Sequence, residues 1–279
     1  MAALGRLRSM ALRAQKNVIR HTVSIPSLCR GSPRDASPGF SRRSVAWPTH
    51  FSTVKSLNEA PSGTSAPASF HSIASDVFAL QNLFQVFSSD SSIALNFTQC
   101  VMRVLKCHDE RNRVFVTGLG KSGAVAQRLA STLSSISISS QWIHGGEWVH
   151  GELGGLKHGD MVIIMSHSGR TTELLSLPDM FRKAGCSVMA VVGDGCSPLS
   201  QQCDWSIIAP AEDETSCPVP SRSIIVQEAI CNALIQHLIE NMGGGDESLK
   251  SSHPGGAIGA RFANRTAAES LFVSKETQV

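Results

Sequence analysis

The eight cysteines (Cys29, Cys100, Cys107, Cys186, Cys196, Cys203, Cys217 and Cys231) form no C-x-x-C pair. They are therefore read as reduced, partly buried thiols of an intracellular compartment, with no redox or metal chemistry assigned. No apolar run is long enough to span a bilayer, so no membrane partner is expected. Acidic side chains are nearly missing from the first 58 positions, where Asp35 stands alone against basic residues that include Arg6, Arg8, Arg13, Lys16, Arg20, Arg30, Arg34, Arg42 and Arg43. That region carries more than the whole net charge of +3; without it the body is mildly acidic and gives nucleic-acid binding little support. A Walker A loop is excluded too, because the glycine it needs five residues before Gly120 is Phe115.

What remains is a chain of 279 residues, 42% hydrophobic and 17% charged, able to bury a proper core. Its opening, MAALGRLRSMALRAQKNVIR, sets Leu4, Leu7, Ala11 and Leu12 near one helical face with arginines elsewhere. An arginine-rich, serine-rich, acid-poor amphipathic leader predicts a mitochondrial presequence; without import the protein is cytoplasmic. Ser, Pro and Gly then dominate without a period, so residues 1–67 are assigned to presequence and linker. Residues 68–262 form the expected folded domain and 263–279 a C-terminal tail.

Helical spacing of Ile73, Val77, Leu80, Leu83, Phe84 and Phe87 predicts one helix over 69–87, and a second covers 93–107. Both are read as packing elements that cover a sheet face or make a subunit interface. Strands and helices then alternate, with strands at 114–117, 137–143, 161–165, 187–192 and 205–208. Helices are expected at 171–184 and 198–202, and a long one over 222–241 closes the run. This order implies right-handed crossovers and an α/β doubly wound five-stranded parallel sheet with helices on both faces.

The chain is organised around VFVTGLGKSG, residues 114–123: a buried strand, a glycine turn and the first turn of a helix. Such a junction points unpaired N–H groups and a positive helix end above the sheet, and Lys121 adds a mobile charge. Gly118, Gly120 and Gly123 also fit G-x-G-x-x-G, with Glu147 near the distance of a ribose-binding acid. A tight strand-to-helix turn alone explains the same glycines. The third strand runs into Ser166, His167, Ser168, Gly169, Arg170, Thr171 and Thr172, hydroxyls that suit a second anion cradle, though one or two of them suffice to cap a helix. Between these stretches lies HGGEWVHGELG, residues 144–154, which suits a binding loop better than a core segment.

Together, GLGKSG, HGGEWVHGELG, SHSGRTTEL, the Cys217-Pro218 turn and SHPGGAIG resemble the sugar isomerase (SIS) domain family, and more closely arabinose-5-phosphate isomerases. The resemblance spans roughly residues 69–260 and resolves the contest against a dinucleotide. It implies a flavodoxin-like SIS fold and a phosphosugar substrate gripped by Ser166, Ser168, Thr171 and Thr172, with Gly120, Ser122 and His167 beside them. It assigns Lys121, His150, Glu173 and His253 to catalysis. It also implies a homo-oligomer, typically a tetramer, in which His253 serves a neighbouring subunit's site. His167 stands where the family usually has asparagine, Arg170 where it often has an acid, and Gln227-Glu228 is closer to other phosphosugar isomerases. SHPGGAIG lies close to the end of the sequence, so the paired CBS domains of many homologues are not expected.

Aldose–ketose interconversion moves a proton between neighbouring carbons through an enediol, which asks for a base, a proton shuttle and a group that stabilises enediolate charge. Glu173 and His253 fill the base and acid roles, Lys121 the electrostatic one, and His150 assists ring opening or orients substrate. No metal or other cofactor is needed. The expected activity is interconversion of D-arabinose 5-phosphate and D-ribulose 5-phosphate. A phosphosugar-binding regulatory module without turnover, or an isomerase of another sugar phosphate, are the alternatives.

Overall fold

A computed structural model describes residues 68–212, 219–242, 250–260 and 262. The expected presequence and linker, the Cys217-Pro218 turn and the tail lie outside the described residues. Two helices, α1 (Ala68–Ser89) and α2 (Ser91–Asp109), lead into β1 (Val114–Gly118), α3 (Gly120–Ser135) and β2 (Ser140–His144). Next come β3 (Met161–Met165), the short α4 (Thr172–Leu175), α5 (Leu177–Lys183), β4 (Ser187–Val192), α6 (Pro198–Gln202), β5 (Trp205–Ile208) and the long α7 (Arg222–Met242).

The five strands make one sheet in the order β2-β1-β3-β4-β5, every pair parallel. Strands β1 and β3 are buried along their whole length and β4 nearly so, as expected of apolar runs covered on both faces. Side chains alternate between the layers. Val116, Ile163 and Val191 pack under α1, α2, α3 and α7, while Phe115, Val162, Ile164 and Ala190 meet Leu174, Phe181 and Leu199 on the other face. The order reverses between β1 and β3, and it is at this switch point that a parallel sheet opens a crevice at its carboxyl edge. At the opposite, amino edge, Asp160 accepts hydrogen bonds from the backbone of Arg113 and Lys157 and pairs with the Arg113 guanidinium at 2.6 Å.

The helix expected over 171–184 is two pieces, because Pro178 has no N–H to bond and its ring crowds the preceding turn. Helix α2 begins earlier than expected: Asp90 caps it by accepting from Ser92 N (2.8 Å) and Ile93 N (3.4 Å). The Ser92 hydroxyl, which also bonds Asp90, leads the effects that hold its carboxyl below the ordinary range. Strand β2 starts at Ser140 instead of 137, since Ser137 turns the chain at φ 66°. Of the apolar positions read on α1, Leu83 is buried and Phe87 half-buried, whereas Ile73, Val77, Leu80 and Phe84 face solvent in the single chain, Phe84 at 75% exposure.

Candidate functional site

The glycine turn after β1 has three distinct physical jobs. A Cβ on Gly118 would stand 2.9 Å from the Met165 carbonyl oxygen, so this residue lets β1 and β3 approach at the crevice. Gly120 adopts φ +54°, a left-handed conformation that favours glycine, and Gly123 packs its Cα against Gly118. Leu119, the residue capping α3, supplies no side-chain hydrogen bond to the helix. The first N–H groups of this 16-residue helix therefore face the crevice without a side-chain cap.

The loop after β3 closes on itself. Ser166 Oγ and Thr171 Oγ1 are 3.0 Å apart, Gly169 N donates to Ser166 O, and Arg170 N donates to Ser168 Oγ at 3.2 Å. Gly169 sits at φ +58° with its open face against the Ser197 side chain. The loop is also tied to the turn after β4: Gly193 N donates to His167 O (2.8 Å), Leu199 N donates to Gly169 O (3.0 Å), and Arg170 pairs with Asp194 at 3.0 Å. A Cβ on Gly193 would stand 2.5 Å from His167 Cε1, so this glycine makes the room the imidazole occupies. Any helix dipole beneath the loop is small, because α4 has only four residues; hydroxyls and loop N–H groups form the cradle.

These two turns enclose a cleft of about 340 Å³. Of the residues proposed from sequence, Lys121, Ser122, Ser166, His167, Ser168 and Thr171 line it. Leu119, Met165 and Leu174 add apolar wall, and Pro220, Ser223 and Ile224 at the start of α7 close the third side. Those last residues did not figure among the expected site residues. Their only signal was position, just after the Cys217-Pro218 turn. No carboxylate stands among the described lining residues.

Other expected residues fall outside the cleft wall. Gly120 shapes the turn, and Thr172 and Glu173 open α4, exposed at the rim. His150 ends a 3-10 turn, Trp148–His150, with its side chain exposed. His253 is half-buried and distant: the Ser252 hydroxyl lies 3.2 Å from that of Ser137, at the amino edge of the sheet. Helix α3, which spans the sheet from crevice to Ser137, is about 24 Å long at 1.5 Å per residue. Lys121 and His253 of one chain thus stand at opposite edges of its sheet. Among the described residues, no group of three or more His, Cys, Asp or Glu gathers to hold a metal. Burial pushes the thiols of Cys100, Cys203 and Cys231 up to about 12 and those of Cys107 and Cys186 to about 11, which keeps them protonated and inert.

The segment 144–154, expected as a binding loop, is pinned at its centre. Trp148 is fully buried, donates from Nε1 to Thr117 Oγ1 at 2.9 Å, and meets Phe115 and Phe181 edge to face. Removing it empties a pocket under the crevice and orphans the Thr117 hydroxyl. Trp148→Ala is expected to destabilise the protein by about 3–5 kcal/mol, read as a lower urea midpoint; an unchanged midpoint would refute this anchoring.

The doubly wound sheet, with its hydroxyl loop and lysine at the switch point, defines a domain shaped to hold a small anionic ligand at the carboxyl edge. Residues 108–236 match the SIS domain, and this region is similar to arabinose 5-phosphate isomerases. It is 34% identical over 155 residues to arabinose 5-phosphate isomerase KdsD of Pseudomonas aeruginosa, covering 54% of this chain and 47% of that protein. With arabinose 5-phosphate isomerase KpsF of Escherichia coli it shares 31% identity over 192 residues, 68% of this chain and 56% of the relative. The chain thus spans about half the length of the curated relatives it matches. A solved structure, that of c3406 from E. coli CFT073 in complex with arabinose 5-phosphate, superposes with a TM-score of 0.59 at 28% identity over 66% of this chain and 94% of that one.

Proposed function

We propose that this protein is a sugar-phosphate aldose–ketose isomerase that interconverts D-arabinose 5-phosphate and D-ribulose 5-phosphate through an enediol. The observation that carries this reading is the convergence of Lys121 with the hydroxyls of Ser166, Ser168 and Thr171 in one cleft. A phosphate dianion finds hydroxyl and backbone donors in the loop after β3, with the Lys121 cation left for the rest of the ligand. Anchoring the phosphate leaves the carbon chain to reach toward Lys121 on one side and toward the rim, where Glu173 opens α4, on the other. Glu173 takes the proton from the carbon beside the carbonyl and returns it to the neighbouring carbon. Lys121 stabilises the negative charge that develops on the enediolate oxygens. His253 shuttles the hydroxyl proton, and His150 orients the substrate or assists ring opening.

The location of His253 supports a site shared between copies in a homo-oligomer, a tetramer. The exposed apolar stripe of Ile73, Val77, Leu80 and Phe84 on α1 offers a surface for such an assembly. A second reading, a phosphosugar-binding module without turnover, is favoured by one observation: the described cleft wall holds no carboxylate.

Solvent deuterium decides between them. Incubated with ribulose 5-phosphate or arabinose 5-phosphate in deuterated buffer, the protein should yield the isomer labelled at the carbon that exchanges, resolved by NMR. Binding across a panel of sugar phosphates with neither label nor isomer would establish the module instead.

A further inference from the structure

Among the described residues that line the cleft, Lys121 and His167 carry ionisable side chains, and of these only an imidazole changes its charge near neutral pH. His167 stands within the loop after β3, between the cleft-lining Ser166 and Ser168. The fold makes a place for it there. Its ring is half-buried with the Nδ1–Cε1 edge against Gly193, where a Cβ would come within 2.8 Å of Nδ1 and 2.5 Å of Cε1. Its carbonyl oxygen accepts from Gly193 N at 2.8 Å, so the turn after β4 holds both backbone and ring.

The charges on the surrounding elements have other work. Lys121, at the start of α3, faces the carbon chain in the proposed reaction. Arg170, in the same loop as His167, pairs with one oxygen of Asp194 at 3.0 Å, and the other Asp194 oxygen accepts from Cys196 N at 2.8 Å. At the start of α7, Arg222 stands 3.8 Å from Glu212, and Glu173 opens α4 at the exposed rim. Helix α6 (Pro198–Gln202) brings no ionisable side chain. A phosphate seated among the loop hydroxyls and N–H groups therefore has His167 as the cleft-lining group of that loop able to gain a positive charge.

We infer that His167 makes this cleft a proton-linked phosphate site: the imidazole takes up a proton from solvent as a phosphate dianion settles into the loop and releases it when the ligand leaves. This rests on the sugar-phosphate reading given above. An opposite charge a few ångströms away favours the protonated ring, so the imidazole of the complex titrates at higher pH than that of the empty site. By linkage, affinity is highest below the titration of the empty site, falls as pH rises between the two titrations, and levels off above that of the complex. Asparagine, usual at this position in the family, offers a neutral amide whose contribution does not change with pH.

Calorimetric titration of the full chain with ribulose 5-phosphate between about pH 7 and pH 9 tests the linkage, since a phosphate monoester whose second ionisation lies at about pH 6 stays a dianion throughout. Wild type should lose about fivefold to tenfold in affinity across this range. In buffers of different ionisation enthalpy at about pH 7.5, it should also take up a fraction of a proton per ligand bound. His167→Asn and His167→Gln should show neither the slope nor the uptake. Equal slopes and equal uptake in wild type and either variant would overturn the role of His167 and leave the sugar-phosphate reading standing. Binding by wild type without proton uptake would do the same, whatever the variants show. If both variants fail to fold or lose the ligand at every pH, the ring is structural and the inference falls. If wild type binds neither ribulose 5-phosphate nor arabinose 5-phosphate at any pH, the functional reading and this inference fall together.

Discussion

Glu173→Gln is expected to lower kcat for isomerisation by about 10²–10⁴-fold while sugar-phosphate affinity changes little. The substitution keeps the size and shape of the side chain but removes its charge and its ability to accept a proton, one acceptor oxygen becoming an NH2 donor. Glu173 lies two residues after Thr171, which lines the cleft, and in the first turn of α4. Glu173 is exposed at the rim in the single chain, so its reach to the carbon chain depends on a ligand anchored by the loop beside it. Loss of kcat with retained binding marks a group used in the transition state and not in the ground state. A parallel loss of affinity would move Glu173 from proton transfer to ligand positioning, and an unchanged kcat would remove it from the mechanism altogether. Solvent exchange sharpens the comparison, because a missing base abolishes deuterium uptake as well as isomer formation.

The parts of this architecture legible in the sequence are those governed by local chemistry. The runs 161–165, 187–192 and 205–208 are found as strands with the bounds expected from their apolar composition. GLGKSG shows its turn because a left-handed residue and two close backbone approaches each favour glycine. Elsewhere the deciding partner is distant in sequence. Trp148 looked like part of a polar binding loop until Thr117, Phe115 and Phe181 were brought around it by β1 and α5. Ser223 and Ile224 join the cleft only because α7 packs beside α3, which no spacing announces. The exposed stripe on α1 has the same apolar period as a buried one. Periodicity reports that a face wants cover, without saying whether the cover comes from its own chain or another.

Mixing two inactive variants is expected to restore activity if the site is shared. Lys121→Ala should lose the charge that stabilises the enediolate, a loss of about 10²–10³-fold for a group of this kind. His253→Ala should be impaired through the proton shuttle. Lys121 stands at the carboxyl edge of the sheet, while Ser252 bonds Ser137 at the amino edge, so the two residues of one chain do not share a cleft. In an isologous pair that exchanges this segment, co-refolding equal amounts makes half the pairs mixed, and each mixed pair holds one intact site beside one doubly defective site. Activity should then recover to about a quarter of wild type. If both residues served the same chain's site, every site in the mixture would carry one defect and the mixture would stay as inactive as its components. An inactive mixture whose oligomers are shown to exchange subunits would therefore sink the shared site. Full activity of His253→Ala alone would instead remove the histidine from catalysis and leave the amino-edge contact of Ser252 as a purely structural anchor for the segment that follows α7.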